Sequence, residues 1–334
     1  MSVITITIDQ AVECCCAALK NSGTPEDNAR TTAQALVRAE SDGQKGHGFA
    51  RVPSYAAQAR SGKVRGGAKP EIIDVKPGLF RIDAGFGFAY PAINLALSEL
   101  APRVRKFGIA AAAIYQSHHF GVAGHPCEDL ARQGFVAFIY GNTPKAMAPF
   151  GASQKVLGTN PIAFAAPFEQ DPLVIDFALS VVARGKIMAA KQGGTPIPEG
   201  WALGPDGAPT CDPATALAGS MVPIGGAKGA ALALMVEIMS ACLAGAALGT
   251  EAGSLLEGEG DSPNLGQVIL AIDASSLSAG NFAGRIRDLA AVYETLEGAR
   301  FPGLKRLENR AKARTDGLQI AEPLMAEINQ LAQG

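Results

Sequence analysis

Histidine is scarce in this 334-residue chain, which has four of them, one tryptophan and five tyrosines. Several glycine signatures are missing altogether. No Gly-x-Gly-x-x-Gly follows a first strand, and Gly85-Phe86-Gly87 is too short and in the wrong context, so an ordinary dinucleotide-binding fold is disfavoured. The absence of Gly-x-x-x-x-Gly-Lys-Ser/Thr argues against a P-loop nucleotidase. The absence of Gly-x-Ser-x-Gly argues against a serine hydrolase with a nucleophile elbow. Six cysteines (14, 15, 16, 127, 211 and 242) contain no Cys-x-x-Cys spacing, so no zinc or other metal site is expected. They read as small buried hydrophobes in a reducing cytoplasm, Cys127 included despite its nearness to His125.

Neither sign of charge dominates: 29 Lys and Arg against 31 Asp and Glu give a net charge of −2, without the footprint of a nucleic-acid or anionic-membrane binder. No basic segment followed by a long apolar run suggests a signal peptide. The most apolar long stretch, residues 225–249, carries Lys228 and Glu237 and predicts a buried helix rather than a membrane span. A cytoplasmic protein is the expectation.

Three of the four histidines fall in two glycine-punctuated clusters, Gly46-His47-Gly48-Phe49-Ala50-Arg51 and Ser117-His118-His119-Phe120-Gly121. Histidine exchanges a proton near neutrality, and flanking glycines let backbone and substrate approach the ring. Arg51, four residues after His47, offers a planar cation that can grip a carboxylate with two parallel hydrogen bonds. Together they suit a keto or imino acid: arginine holds the carboxylate while histidine supplies the proton as a hydride arrives. The stretches 117–124 and 225–229 are glycine-rich helix openings whose free N–H groups could cradle phosphate.

Periodicity predicts helices over the first sixty residues, the first capped by Thr7 or Asp9 and the second opened by Thr24-Pro25. A third helix is expected around 53–59, with the His47 cluster in the loop before it. A hairpin follows around Lys76-Pro77-Gly78, then a helix over 90–105 and buried strands at 109–115, 135–140, 162–165, 173–175 and 267–272. Helices are expected over 122–133, 180–191, 225–247 and 282–298, with an irregular loop over 193–222 and a closing amphipathic helix. The fold class is α/β: a central mixed sheet domain, residues 71–279, and a helical subdomain built from both termini, residues 1–70 plus 280–334.

These ordered motifs resemble the malate/L-lactate dehydrogenase family of the non-Rossmann kind, which includes ureidoglycolate, sulfolactate, diketogulonate and piperideine/pyrroline-2-carboxylate oxidoreductases. The resemblance runs through His47-Gly48-x-x-Arg51, Ser117-x-His119-Phe120-Gly121, Gly158-Thr159-Asn160-Pro161, Asp176-Phe177-Ala178, Ala183-Arg184-Gly185-Lys186, Pro198-x-Gly200-Trp201, Gly225-Gly226-x-Lys228-Gly229 and Pro302-Gly303. It implies a largely antiparallel cofactor domain, NAD or NADP as hydride carrier, an interlocked homodimer and a small carboxylate substrate, with no nucleic acid or membrane partner. By position, it implies His47 as general acid/base, with His119 as the alternative, and Arg51 and Thr159 as substrate contacts. His118, Phe120, Gly121, Asn142, Thr143, Asp176, Phe177, Ala178, Lys228, Gly303 and Arg306 fall at cofactor positions.

The chain departs from the cyclic-imine reductases of that family. They are similar to Ser-His-Gly with an acid after Arg-Gly, whereas Gly46 and Lys186 stand here, so no serine–histidine–acid relay can be assembled and another group must set the tautomer of His47. An open-chain 2-keto or 2-hydroxy acid is therefore expected ahead of a cyclic imino acid. A cofactor-independent hydrolase or lyase, or an inactive binding homologue, are the readings from other classes.

Overall fold

The computed structural model describes residues 2–334. Strand β1 (Val3–Ile6) leads into helices α1 (Ile8–Lys20), α2 (Glu26–Ser41) and α3 (Val52–Ser61). Thr7 caps α1 in a reciprocal capping box with Gln10, satisfying end groups that would otherwise lack partners. Thr24 does not cap α2. Pro25 occupies the cap position and makes no side-chain hydrogen bond there.

The central sheet is assembled from β2 (Glu71–Lys76), β3 (Leu79–Asp83), β4 (Ile109–Ser117), β5 (Phe135–Gly141), β6 (Ile162–Ala166) and β7 (Leu173–Phe177), joined by a later strand. Helices α4 (Ala89–Phe107), α5 (Gly124–Ala131) and α6 (Arg184–Gly193) interleave with them. The stretch expected to be irregular folds a small hairpin, β8 (Ala202–Leu203) with β9 (Ser220–Met221), around α7 (Pro213–Ala218). After it come α8 (Ala227–Glu237) and β10 (Leu265–Asp273). Short α9 (Ala274–Leu277), α10 (Phe282–Glu294), α11 (Leu304–Asp316), β11 (Leu318–Ala321) and α12 (Glu322–Gln333) end the chain.

The seven-stranded sheet has the order β2-β3-β4-β10-β5-β6-β7. Only β3 and β4 run parallel; every other neighbouring pair is antiparallel. β10, late in sequence, sits at the centre, and residues such as Ile269 and Ala271 are fully buried there against α4 and α5. A second apolar core joins α1, α2 and α3 to the C-terminal segment through Leu19, Leu36, Tyr55, Leu318 and Ile328. β1 and β11 zip together from Val3 opposite Ala321 to Ile6 opposite Leu318. A third core, around Met147, Leu179, Ile187 and Val236, lies under the β8–β9 hairpin and α8.

One expectation fails clearly. The segment 225–247 is not a single buried helix: α8 ends at Glu237, a π-helical turn spans Ile238–Leu243, and Leu234, Ile238 and Leu243 are each at least half exposed. An alternation of alanine with larger apolar residues on every face hides which side meets the core. No helix of the described residues is long and apolar enough to cross a membrane.

Candidate active site

The loop between α2 and α3 folds as two 3₁₀ turns, Lys45–His47 and Phe49–Arg51. Buried Glu40, at the end of α2, accepts the backbone N–H of Phe49 at 3.1 Å and pins the second turn. The other histidine cluster leaves the end of β4. The two meet: His47 Nδ1 lies 3.2 Å from His119 Nε2, and the rings lie edge to edge, with centroids 5.2 Å apart and planes within 7°. The second nitrogen of His47, which Gly46 cannot hold with a side chain, is thus held by His119.

His119 is held in turn by the Tyr55 hydroxyl, 2.6 Å from its Nδ1. Tyr55 projects from α3 and is fully buried. His118 points elsewhere, its Nε2 2.8 Å from Gln58 Oε1 and its ring edge-on to Tyr55 and Phe88. Gly121 has φ +68°, and a Cβ there would come within 2.7 Å of the Tyr90 hydroxyl, so only glycine turns the chain at this point.

Every histidine in this region is held neutral. Although one edge of His47 reaches the surface, burial first and the Arg51 guanidinium second push its pKa down to about 4. The same two causes take His118 to about 3 and His119 well below the usual imidazole range. Arg51 donates from Nε to the Gly46 carbonyl at 2.8 Å and forms no ion pair among the described residues, leaving its terminal nitrogens free for an incoming anion.

Other sequence-chosen residues gather in two further groups. Thr143 and Thr159 are joined hydroxyl to hydroxyl at 3.3 Å, with the Thr159 N–H donating to Thr143 Oγ1. The Thr159 carbonyl accepts from Leu179 N and the Leu179 carbonyl accepts from Ile224 N, which connects this pair to Phe177-Ala178 and to the turn before exposed Lys228. Asp176 accepts the Gly124 N–H at 2.8 Å, and burial raises its carboxyl to about 6. Gly303, at φ +98°, lies over the β7 backbone at Val174 and beside Arg306. The Arg306 Nη1 donates to Glu128 at 2.6 Å, while its buried Nε and Nη2 find no partner.

Two residues turn out to be internally occupied. The Asn142 amide is buried, donating to the Ala247 carbonyl and accepting from Gly266 N, so its side chain ties loops together. Phe120 is buried with its ring against Gly141. Cys127 is buried with its thiol pKa pushed up, as packing requires. Sequence reasoning missed Tyr55, Tyr90 and Gln58. The spacing of Tyr55 four residues after Arg51 was available, but the position reads as ordinary helix core.

It missed a second polar cluster as well. Asp42 and Glu128, both with fully buried side chains, are met by Arg310, with Arg306 and Arg38 also on Glu128 and His125 on Asp42. Its members come from α2, α5 and α11, far apart in sequence.

The malate/L-lactate dehydrogenase family model matches residues 6–329. A (2R)-3-sulfolactate dehydrogenase (NADP(+)) of Chromohalobacter salexigens is 47% identical over 331 residues, covering 98% of each chain. A Delta(1)-pyrroline-2-carboxylate reductase of Ancylobacter novellus is 37% identical, covering 93% of this chain and 92% of its own length. The crystal structure of a delta1-piperideine-2-carboxylate reductase from Pseudomonas syringae superposes with a TM-score of 0.93 at 34% identity, covering 98% of this chain and 99% of that one. With a family model spanning nearly its whole length and relatives this close, the chain belongs to the malate/L-lactate dehydrogenase family.

Proposed function

We propose that this protein is an NAD(P)-dependent oxidoreductase, with NADP favoured, that interconverts a small 2-keto acid and the matching 2-hydroxy acid, sulfolactate being the leading candidate. The observation that carries it is His47, hydrogen-bonded edge to edge with His119, its Nε2 free of protein partners and unpaired Arg51 beside it. The 47% identity to a sulfolactate dehydrogenase that uses NADP supports both the substrate class and the cofactor. Arg51 and Thr159 take the substrate, and His47 is the acid/base in preference to the deeper His119.

The residues present suit a nicotinamide dinucleotide. Buried, unpartnered Nε and Nη2 of Arg306 are an uncompensated donor pair of the kind a phosphate satisfies, next to Asp176 and Gly303. Thr143, Phe177-Ala178, Lys228 and the backbone of 118–121 complete its contacts. When bound, it supplies the hydride. Arg51 fixes the carboxylate by two-pronged hydrogen bonds, which orients the adjacent carbon. His47 delivers a proton from Nε2 to the carbonyl oxygen during reduction and accepts one from the hydroxyl during oxidation. Neutral histidines beside a single arginine leave net positive charge for an anionic substrate.

In the same proposal, residues 1–70 with 280–334 form the substrate and dimerisation subdomain around the cofactor domain, 71–279. The enzyme works in the cytoplasm as a homodimer, whose second copy covers apolar residues such as Leu234, Ile238 and Leu243. Absorbance at the reduced-nicotinamide band should fall on adding sulfopyruvate, pyruvate or oxaloacetate with NADPH or NADH. Turnover of pyrroline-2-carboxylate alone would overturn the open-chain reading.

A further inference from the structure

The hydrogen bonds behind His47 do not stop at His119. His47 Nδ1 meets His119 Nε2 at 3.2 Å, His119 Nδ1 meets the Tyr55 hydroxyl at 2.6 Å, and that hydroxyl meets the Tyr90 hydroxyl at 3.3 Å, the last link being long. Tyr90, on α4, lines a cavity of about 180 Å³ between α2, α4 and α5. At roughly 30 Å³ of liquid per molecule, it holds several waters. Its wall includes Gln34 and Asn94, both exposed, and Asp129. This cavity lies at the far end of the chain from the free nitrogen of His47.

We infer that His47, His119, Tyr55 and Tyr90 form a proton wire that connects the reacting oxygen to solvent in this second cavity, with Tyr55 and Tyr90 as positioning residues. The inference rests on His47 being the acid/base. A wire is needed because substrate and nicotinamide would fill the cleft on the open side of His47 and shut that route to water.

The reduction consumes a proton from His47 Nε2, and this fixes the direction in which the wire starts. The Tyr90 hydroxyl has Tyr55 as its one protein partner among the described residues and solvent of the cavity on its other side. In the starting arrangement Tyr90 donates to Tyr55, Tyr55 to His119 Nδ1, and His119 Nε2–H to His47 Nδ1. That leaves a proton on His47 Nε2, facing the substrate.

In the reduction, the substrate oxygen takes the Nε2 proton while its carbon gains the hydride. His47 Nδ1 then takes the proton of His119 Nε2, His119 Nδ1 that of Tyr55, and the Tyr55 oxygen that of Tyr90. The Tyr90 oxygen takes one from solvent in the cavity. One solvent proton enters, one leaves on the product, and all four side chains are neutral before and after, with each hydrogen bond of the wire reversed. Once the product leaves, water in the opened cleft returns a proton to His47 Nε2 and the shift runs backwards, releasing one proton into the cavity. Oxidation uses the same backward shift. Burial depresses the pKa of both histidines and raises those of both tyrosines, so a shift without a charged resting intermediate is the favoured path.

The test is a proton inventory on the full-length enzyme: kcat in H₂O/D₂O mixtures, with NADPH and the best acid of the panel. The wild type should give a curved plot, several protons being in flight. Tyr90→Phe should straighten it and lower kcat by on the order of tenfold or more, with the cofactor Kd by fluorescence and the substrate KM unchanged. Ala35→Leu, which narrows the cavity from the α2 wall, should straighten it too and decides the matter if Tyr90→Phe does not fold. A folded variant of either kind that keeps the wild-type kcat and curvature overturns the wire. Absence of turnover in the wild type with every acid would instead sink the acid/base reading beneath it.

Discussion

Two polar clusters are buried in this molecule, and they are built on opposite electrostatic plans. Around His47, His118 and His119 there is no carboxylate partner; the nearby charge is Arg51, and the histidines stay neutral. Around Asp42 and Glu128 each acid has its countercharge: His125 and Arg310 hold Asp42, and arginines 38, 132, 306 and 310 reach Glu128. Both carboxyls stay below the usual range despite burial, while Arg306 keeps two nitrogens unpartnered beside Gly303. The fourth histidine, His125, belongs to this second group, 2.9 Å from Asp42. A compensated cluster fastens α2, α5 and α11 to one another. An uncompensated one waits for an anion and a proton acceptor. Burial alone does not tell scaffold from site; groups left without countercharge or partner, such as Arg51 and two nitrogens of Arg306, are the ones that point to a ligand.

Breaking one member of each cluster should separate the roles. His47→Ala is expected to lower kcat by about 10²–10⁴ with little change in denaturation midpoint or cofactor affinity, as stopped-flow absorbance and fluorescence titration would show. If cofactor binding falls equally, His47 belongs with the scaffold. Glu128→Gln is expected to do the reverse: removing the acid leaves buried guanidinium groups uncompensated, a loss of about 3–5 kcal/mol in urea unfolding, with kcat per folded molecule at saturating cofactor nearly kept and any effect through Arg306 confined to cofactor affinity. Retained stability would mean that the remaining carboxylates or water replace it.

The mildest and sharpest comparison uses pH. Histidines with depressed folded-state pKa bind fewer protons folded than unfolded between their folded values and about 6.5, so stability falls as pH drops through that window. From pH 7 to pH 6 the buried pair His118 and His119 should together cost on the order of 1 kcal/mol, partly offset by Asp176, whose carboxyl, raised to about 6 by burial, binds a proton more readily in the fold. The carboxylates of Asp42 and Glu128 act in a lower window, giving stability that is present above about pH 4 and lost only below it. Urea midpoints from pH 8 to 4 should therefore decline first through the histidine window. A flat profile down to pH 5 in an Asp176→Asn variant, which lacks the opposing carboxyl, would show that these histidines are charged in the fold.

Much of this was readable in the sequence, for identifiable reasons. The strands of the central sheet are short apolar runs bounded by Gly, Pro or Asn, and the sheet's largely antiparallel order agrees with the family that the His47 and His119 motifs resemble. Those two motifs also named residues that the fold brings to 3.2 Å across 72 positions of sequence. What escaped was long-range or ambiguous. α11 carries few apolar residues and is held by Arg306 and Arg310 through partners more than 170 positions away, which no local pattern reveals. β1 and β11 have only four residues each and exist because they pair. Tyr55 looked like core because it is core. Its second role depends on where β4 ends, and that is a property of the fold.

The zipped ends of the chain impose an order of events during synthesis. The turn bearing His47 is tied to β11 by Lys45, whose Nζ donates to the Gln319 carbonyl, and the core beneath it needs Leu318, Ile320 and Ile328. A polypeptide emerging from the ribosome carries residues 45–51 early but lacks their support until β11 and α12 have emerged. The machinery is withheld from incomplete molecules: a nascent or C-terminally clipped chain has both histidine motifs and no finished place to hold them.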